Sequence, residues 1–345
     1  MSPPREAEQI RFLTNLQRIL SEGRFSATYK FALLHSLADI SVQRGDDSGS
    51  ALEVTTSEIA EHFVRLYWHQ AKPYSDSGIL QQNRGAKAAV ISKIIRARDT
   101  APGPMSQVAH RRIHTWKTLI RQVEKTVREM PLTKLQTVGK RPLNFLYTIS
   151  EDHRTISLRP GVAFCFRRFY GIIRNLIRGG WLDFVRRENT DALGSATELS
   201  EFLFPGSRTG LSGFEPILRE VQQGDCLYCH KSVRSAAEVD HFVPWSRYPV
   251  NIGENLVLAH KTCNQRKSDH LAAEEHLDAW TRRNEEQGAE LKERLRAAGL
   301  SSDPATSRQV AVWAYEQVDH ARGQLWVARD ELREITPRWR EILCA

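Results

Sequence analysis

Four residues of this chain have the types and spacing to hold a soft metal ion. Cys226-Leu-Tyr-Cys229 and His260-Lys-Thr-Cys263 form two knuckles with 30 residues between them. Three thiolates and one imidazole are the donor set of a closed, tetrahedral, structural zinc site. Zinc bound in this way adds folding free energy to a segment with little apolar core of its own. A disulfide pair fits less well, because the five cysteines are an odd number and no secretory signal is legible near the first residue. Cys165 lies in the apolar run Val162–Phe166 and reads as core, and Cys344 has no assigned role.

A second set of residues is interleaved with the first and is hard where the first is soft. Asp240 offers a carboxylate and Asn264 an amide oxygen, both suited to a Mg²⁺-like ion. His241 follows Asp240 directly, so in an extended strand it points to the opposite face and reads as a general base. Asn255 could buttress that imidazole from a neighbouring strand. Lys267 lies about one helical turn beyond Asn264, where it could reach a phosphate oxygen. A hard cation, a base and a group that orients the base are what one-metal phosphodiester hydrolysis requires.

The elements that must position these residues are short. Ala237–Phe242 reads as a strand that Pro244 ends, and 255–259 as a second, apolar strand. After Cys263 the pattern turns helical, through Leu271, Leu277 and Trp280. The order is strand, long loop, strand, helix.

With these residues the segment 224–280 resembles the zinc-stapled branch of the HNH endonuclease superfamily, whose pattern is CxxC, DH, N, CxxCN and a following Lys. The resemblance implies a ββα-metal fold, His241 as general base, Asp240 and Asn264 as ligands of Mg²⁺ or Mn²⁺, and Asn255 positioning the catalytic loop. It also implies cleavage leaving a 5′-phosphate and a 3′-hydroxyl. Two positions depart from the commonest pattern: Asn264 stands where His is frequent, and His260 stands where Cys opens the second knuckle. A looser likeness links 67–70, Pro73-Tyr74, 80–83 and the stretch Arg167–Trp181 to stand-alone bacterial HNH proteins with a large helical region upstream. That likeness suggests genome defence or restriction.

A net charge of +8, from 49 Lys and Arg against 41 Asp and Glu, favours a polyanionic partner. DNA is expected, and RNA is not excluded. Basic residues crowd the stretch from Arg84 to Arg141: Lys87, Lys93, Arg96, Arg98, Arg111, Arg112, Lys117, Arg121, Lys125, Arg128, Lys134 and Lys140. Helical spacing would place Arg167, Arg174 and Arg178 on one face, so candidate phosphate contacts are Arg111, Arg112, Arg121, Arg167, Arg174 and Arg178. His110 and His114 have zinc-protease spacing but no glutamate between them, and are set aside. No apolar run is long enough for a membrane span, so a cytoplasmic protein is expected.

The expected fold class is α+β, predominantly α-helical. Residues 1–150 read as a helical, basic targeting region, and 151–220 as a hairpin (145–148 with 155–158) leading into a helical connection. Residues 221–280 read as the HNH module and 281–345 as a helical C-terminal region. Within this plan a helix from Val162 is expected to stop at Gly179-Gly180, and one long helix is expected over Ser307–Ile335. The helical regions leave a homodimer or a partner protein open. The leading reading is a metal-dependent DNA endonuclease. The alternatives are a zinc-stabilised DNA-binding protein without catalysis, and an RNase toxin using the same site.

Overall fold

Phe12, Leu16 and Ile19 recur at helical spacing, and they bury one face of a helix over Glu6–Glu22. The next helix, Tyr29–Arg44, is buried nearly all round from Phe31 to Val42. A helix apolar on every side belongs at a centre, and three others pack on it: Thr56–Trp68, Val162–Arg168 and Tyr170–Glu188. The computed structural model describes residues 2–139, 141–190, 196–206, 210–234 and 237–344, so Lys140 lies outside the described residues. With 57% of it helical and its sheets small, the fold is α+β and mainly α. The chain divides into two units, residues 1–205 and 206–345. No helix of the described residues is long and apolar enough to cross a membrane.

In the first unit the 145–158 hairpin forms, with strands Tyr147–Ile149 and Thr155–Leu158, and a strand at Leu52–Thr55 joins it as a third. That third strand is only four residues long, too short for an alternation to be legible. Thr55 caps the helix that follows: its Oγ1 accepts from the Glu58 amide and Glu58 returns a carboxylate to the Thr55 amide.

Two expectations fail. The helix does not stop at Gly179-Gly180 but runs over Tyr170–Glu188, because Trp181, Phe184 and Val185 beyond the glycines are buried. Gly180 has a packing reason, since a Cβ there would lie 2.8 Å from Phe31 Cε1. Nor is Ser307–Ile335 one helix. The helix Pro304–His320 ends at Ala321, Arg322 takes a positive φ of 48°, and Gly323 donates back to Val318. Gln324–Ala328 and Glu331–Glu334 then pair as a hairpin before a last helix, Arg338–Leu343. Apolar residues in this stretch fit a helical period only by counting across that turn.

Arg167 is not a phosphate contact. It is 1% exposed and donates to the carbonyls of Gly45 (2.8 Å) and Val42 (3.3 Å), with Asp47 Oδ1 at 3.0 Å from its Nε. A cation there satisfies the C-terminal carbonyls of the central helix. Replacing it removes the guanidinium from those carbonyls and from Asp47. We expect Arg167→Ala to cost about 3–5 kcal/mol in chemical denaturation, and a loss under ~0.5 kcal/mol would contradict this role.

The central helix also carries a buried carboxylate. Tyr170 Oη donates to Asp39 Oδ1 at 2.7 Å, and Asp39 Oδ2 lies 3.2 Å from His35 Nδ1 and 3.7 Å from His62 Nδ1. Burial would raise the Asp39 pKa, but the charge and hydrogen bonds of the histidines outweigh it and lower it. Burial holds His62 below its ordinary 6.5. Unfolded, His62 gains its proton near 6.5; folded, it gains it only at lower pH. The unfolded chain therefore binds more protons in that window, and stability is lost as pH falls below about 6.5. His62→Gln should flatten this acid limb in denaturation curves taken at several pH values.

Candidate active site and metal centre

The second unit is built around a two-stranded antiparallel ribbon, Ala237–His241 with Leu256–His260, in which Asp240 faces Val257 and His241 faces Leu256. Side-chain alternation puts Glu238 and Asp240 on one side and His241 on the other. The helix Lys261–Lys267 covers the first side. There Asn264 Nδ2 donates to Glu238 Oε2 at 2.7 Å, and Lys267 Nζ lies 2.9 Å from Asp240 Oδ2. Behind the ribbon Phe242 stacks on Trp280 with ring centroids 5.0 Å apart, and Arg283 donates to the carbonyls of Leu256 and Glu254. The helical pattern after Cys263 is thus two helices, Lys261–Lys267 and Glu274–Glu286, not one.

The sulfur and nitrogen atoms of Cys226, Cys229, His260 and Cys263 all lie within 4.8 Å of one another. His260 Nε2 points at the Ser232 carbonyl, 3.3 Å away, while Nδ1 faces Cys229 Sγ. Donating Nε2–H to a carbonyl leaves the Nδ1 lone pair for a metal, a common arrangement around ligating histidines. Burial, and then the neighbouring Cys226 and Cys229, push the Cys263 thiol up to about 12. A divalent cation supplies the charge that lets such thiols ligate as thiolates. The cluster fits zinc.

The second set is brought together in part. Asp240 Oδ2 receives both Lys267 and the Tyr228 hydroxyl, the latter at 2.5 Å. On this side of the ribbon Asp240 and Glu238 bring carboxylates and Asn264 an amide oxygen, the donor types of a hard divalent ion. His241 is buried, with Nε2 2.7 Å from Asn251 Oδ1 and its ring beside Trp245. Burial lowers its pKa below the usual 6.5, against smaller raising effects from Asn251 and Asp240.

Two roles read from the residues alone change. The Asn255 side chain is not hydrogen-bonded to His241. Its side chain brackets Val243 instead, Oδ1 accepting from the amide at 2.8 Å and Nδ2 donating to the carbonyl at 3.1 Å, which fixes the loop leaving the strand. Lys267 cannot reach a phosphate, because it is 0% exposed and also donates to the His241 carbonyl at 2.9 Å. Its work is to lock the strand end. Asn251, Glu238 and Tyr228 escape the sequence reading. Only Glu238 left a signal there, two residues before Asp240 and so on the same strand face.

Residues 226–270 match the family model described as HNH endonuclease. Residues 9–202, more than half of the chain, match one described as a domain of unknown function, DUF8808. The chain belongs to the DUF8808 family and carries a zinc-stapled HNH domain. No curated protein and no solved structure matches it. An HNH domain points to a nuclease, generally one acting on DNA.

In the DUF8808 domain the candidate phosphate contacts separate into two groups. Arg111, Arg112 and Arg121 are exposed at and beyond the junction of helices Met105–Arg111 and Ile113–Glu129. Arg167, Arg174 and Arg178 make no common track. A break at Phe169 puts Arg167 on a different helix, while Arg174 lies over the Tyr170 ring and Arg178 over Phe204 at 4.7 Å. Lys93 and Arg98 also turn inward, onto Thr126 and the Trp68 carbonyl.

The purified DUF8808 protein should contain about one zinc per chain by elemental analysis. Cys229→Ser and Cys263→Ser should each lose most of it and lower the melting temperature. A folded wild-type protein with well under one zinc would reject the Cys₃His assignment.

Proposed function

We propose that this protein is an endonuclease that hydrolyses phosphodiester bonds in DNA with His241 as the general base. The observation that carries this reading is the buried His241 imidazole, hydrogen-bonded through Nε2 to Asn251 and next in the chain to a carboxylate of an oxygen-only donor set. Asn251 Oδ1 can only accept, so Nε2 holds the proton and Nδ1 keeps the lone pair. The lowered pKa keeps the ring neutral near pH 7, as a base must be.

Asp240 and Asn264 would hold Mg²⁺ or Mn²⁺. When bound, such an ion opposes the negative charge that builds on the scissile phosphate and the departing oxygen. His241 Nδ1 takes a proton from water, the water oxygen bonds to phosphorus, and the bond from phosphorus to the 3′-oxygen breaks. That oxygen takes a proton from solvent, leaving a 3′-hydroxyl and a 5′-phosphate. Lys267 and Asn255 fix the backbone on either side of the base. Exposed Arg111, Arg112 and Arg121 support sequence-independent, salt-sensitive contact with the DNA backbone. The likeness of the helical region to stand-alone bacterial HNH proteins supports a role in genome defence.

The test incubates plasmid DNA, single-stranded DNA and total RNA with the zinc-loaded protein, each with Mg²⁺ or Mn²⁺. Nicking of the DNA substrates should need the divalent ion. It should fall by at least about 10²-fold in His241→Ala, with zinc content and circular dichroism unchanged. Cleavage of RNA alone would move the substrate to RNA. Salt-sensitive binding without cleavage under any divalent ion would reject catalysis.

A further inference from the structure

The first unit holds a cavity of about 440 Å³ where the end of the Glu6–Glu22 helix, the 82–86 loop and the last turns of the Tyr170–Glu188 helix meet. Arg24, Arg84 and Arg187 line it, together with Asp183, Phe25 and Phe31. Each guanidinium arrives on a different segment. The loop bearing Arg84 is tied down: the Arg84 amide donates to the Ser26 carbonyl at 3.0 Å and the Gly85 amide to Glu188 Oε2 at 3.2 Å. Phe25 and Phe31 stack with centroids 4.3 Å apart and make the apolar wall. Gly180, also in the lining, is what lets Phe31 take that position.

The charges at this cavity are uncompensated. Asp183 and Arg187 are four residues apart on one helix, where opposite charges usually pair. Among the described residues neither is in an ion pair, and neither are Arg24 and Arg84. Three guanidiniums less one carboxylate give the lining a net +2, with the Glu188 carboxylate already taken by the Gly85 amide beside it. A phosphate monoester carries about −1.5 to −2 at pH 7, and guanidinium forks match its oxygens. The volume falls within the roughly 300–1,000 Å³ of small-molecule sites. The cavity is open on one side, where Arg24, Arg84, Asp183 and Arg187 are exposed, and a recess of that size suits a discrete ligand, whereas a duplex backbone needs a continuous groove.

We propose that this cavity binds a phosphorylated small molecule of nucleotide size, with its phosphate on Arg24, Arg84 and Arg187 and its organic part against the Phe25–Phe31 wall. The DUF8808 domain then has a ligand site of its own, separate from the HNH chemistry.

Isothermal titration calorimetry on the full zinc-loaded chain tests this. The titrants are the four ribonucleoside 5′-monophosphates singly, the matching nucleosides and inorganic phosphate, all at one ionic strength. At least one monophosphate should bind about tenfold or more tighter than its nucleoside and than phosphate. The double variant Arg84→Gln/Arg187→Gln should weaken that binding by at least about tenfold with its melting curve unchanged. Arg296→Gln, an exposed change in the second unit, should leave it intact. No binding by any monophosphate, equal binding of phosphate alone, or full binding by the double variant would overturn the proposal. Cleavage plays no part in this readout, so its failure leaves the assignment of His241 untouched.

Discussion

The HNH unit depends on one buried ammonium. Lys267 Nζ is held between the Asp240 carboxylate and the His241 carbonyl, and the Tyr228 hydroxyl completes the same carboxylate oxygen. Three segments meet at that point: the first zinc knuckle through Tyr228, the strand through Asp240, and the helix through Lys267. A buried charge pair of this kind adds little net stability over an apolar substitute, but losing one partner strands the other at a cost of several kcal/mol. Its value is geometric. Both donors take Asp240 Oδ2, so the orientation of the carboxylate is set before any ion or substrate arrives.

The His241 side of the ribbon has further partners besides Lys267. Asn255 fixes the backbone at Val243, and Asn251 fixes the ring of His241. Two asparagines four residues apart therefore divide the work, one on main chain and one on side chain. Lys267 joins them from the helix that carries Asn264, through the His241 carbonyl, so one buried ammonium touches both faces of the ribbon.

Much of this was legible in the sequence, for a physical reason. Thiolate and imidazole ligands must sit at short, fixed spacings to close a tetrahedron, and the spacing of Cys226, Cys229, His260 and Cys263 survives as text. The Asp240-His241 pair was legible because strand alternation alone sends the carboxylate and the imidazole to opposite faces. What the sequence hid were the charges that face inward. Lys267, Arg167 and Arg178 read as phosphate contacts because most Lys and Arg face solvent, and only tertiary partners such as Asp240, the Gly45 carbonyl and the Phe204 ring reveal otherwise. Asn251 sits in an irregular loop with no periodicity to expose it. Gly179-Gly180 looked like a helix stop because local propensity says so, yet the core contacts of Trp181 and Phe184 outweigh roughly 1 kcal/mol per glycine.

The pairing of Ala237 with His260 places the zinc cluster at the far end of the same ribbon whose near end presents His241. A two-stranded ribbon this short has little of its own to hold alignment. A slip of one residue would exchange its faces, sending the imidazole toward the helix and the carboxylates toward the loop. His260 is both the last paired residue and a member of the metal cluster, so zinc there would tie the second strand to the Cys226–Cys229 knuckle that precedes the first. The clip that carries no chemistry would then decide on which side of the sheet the chemistry is found.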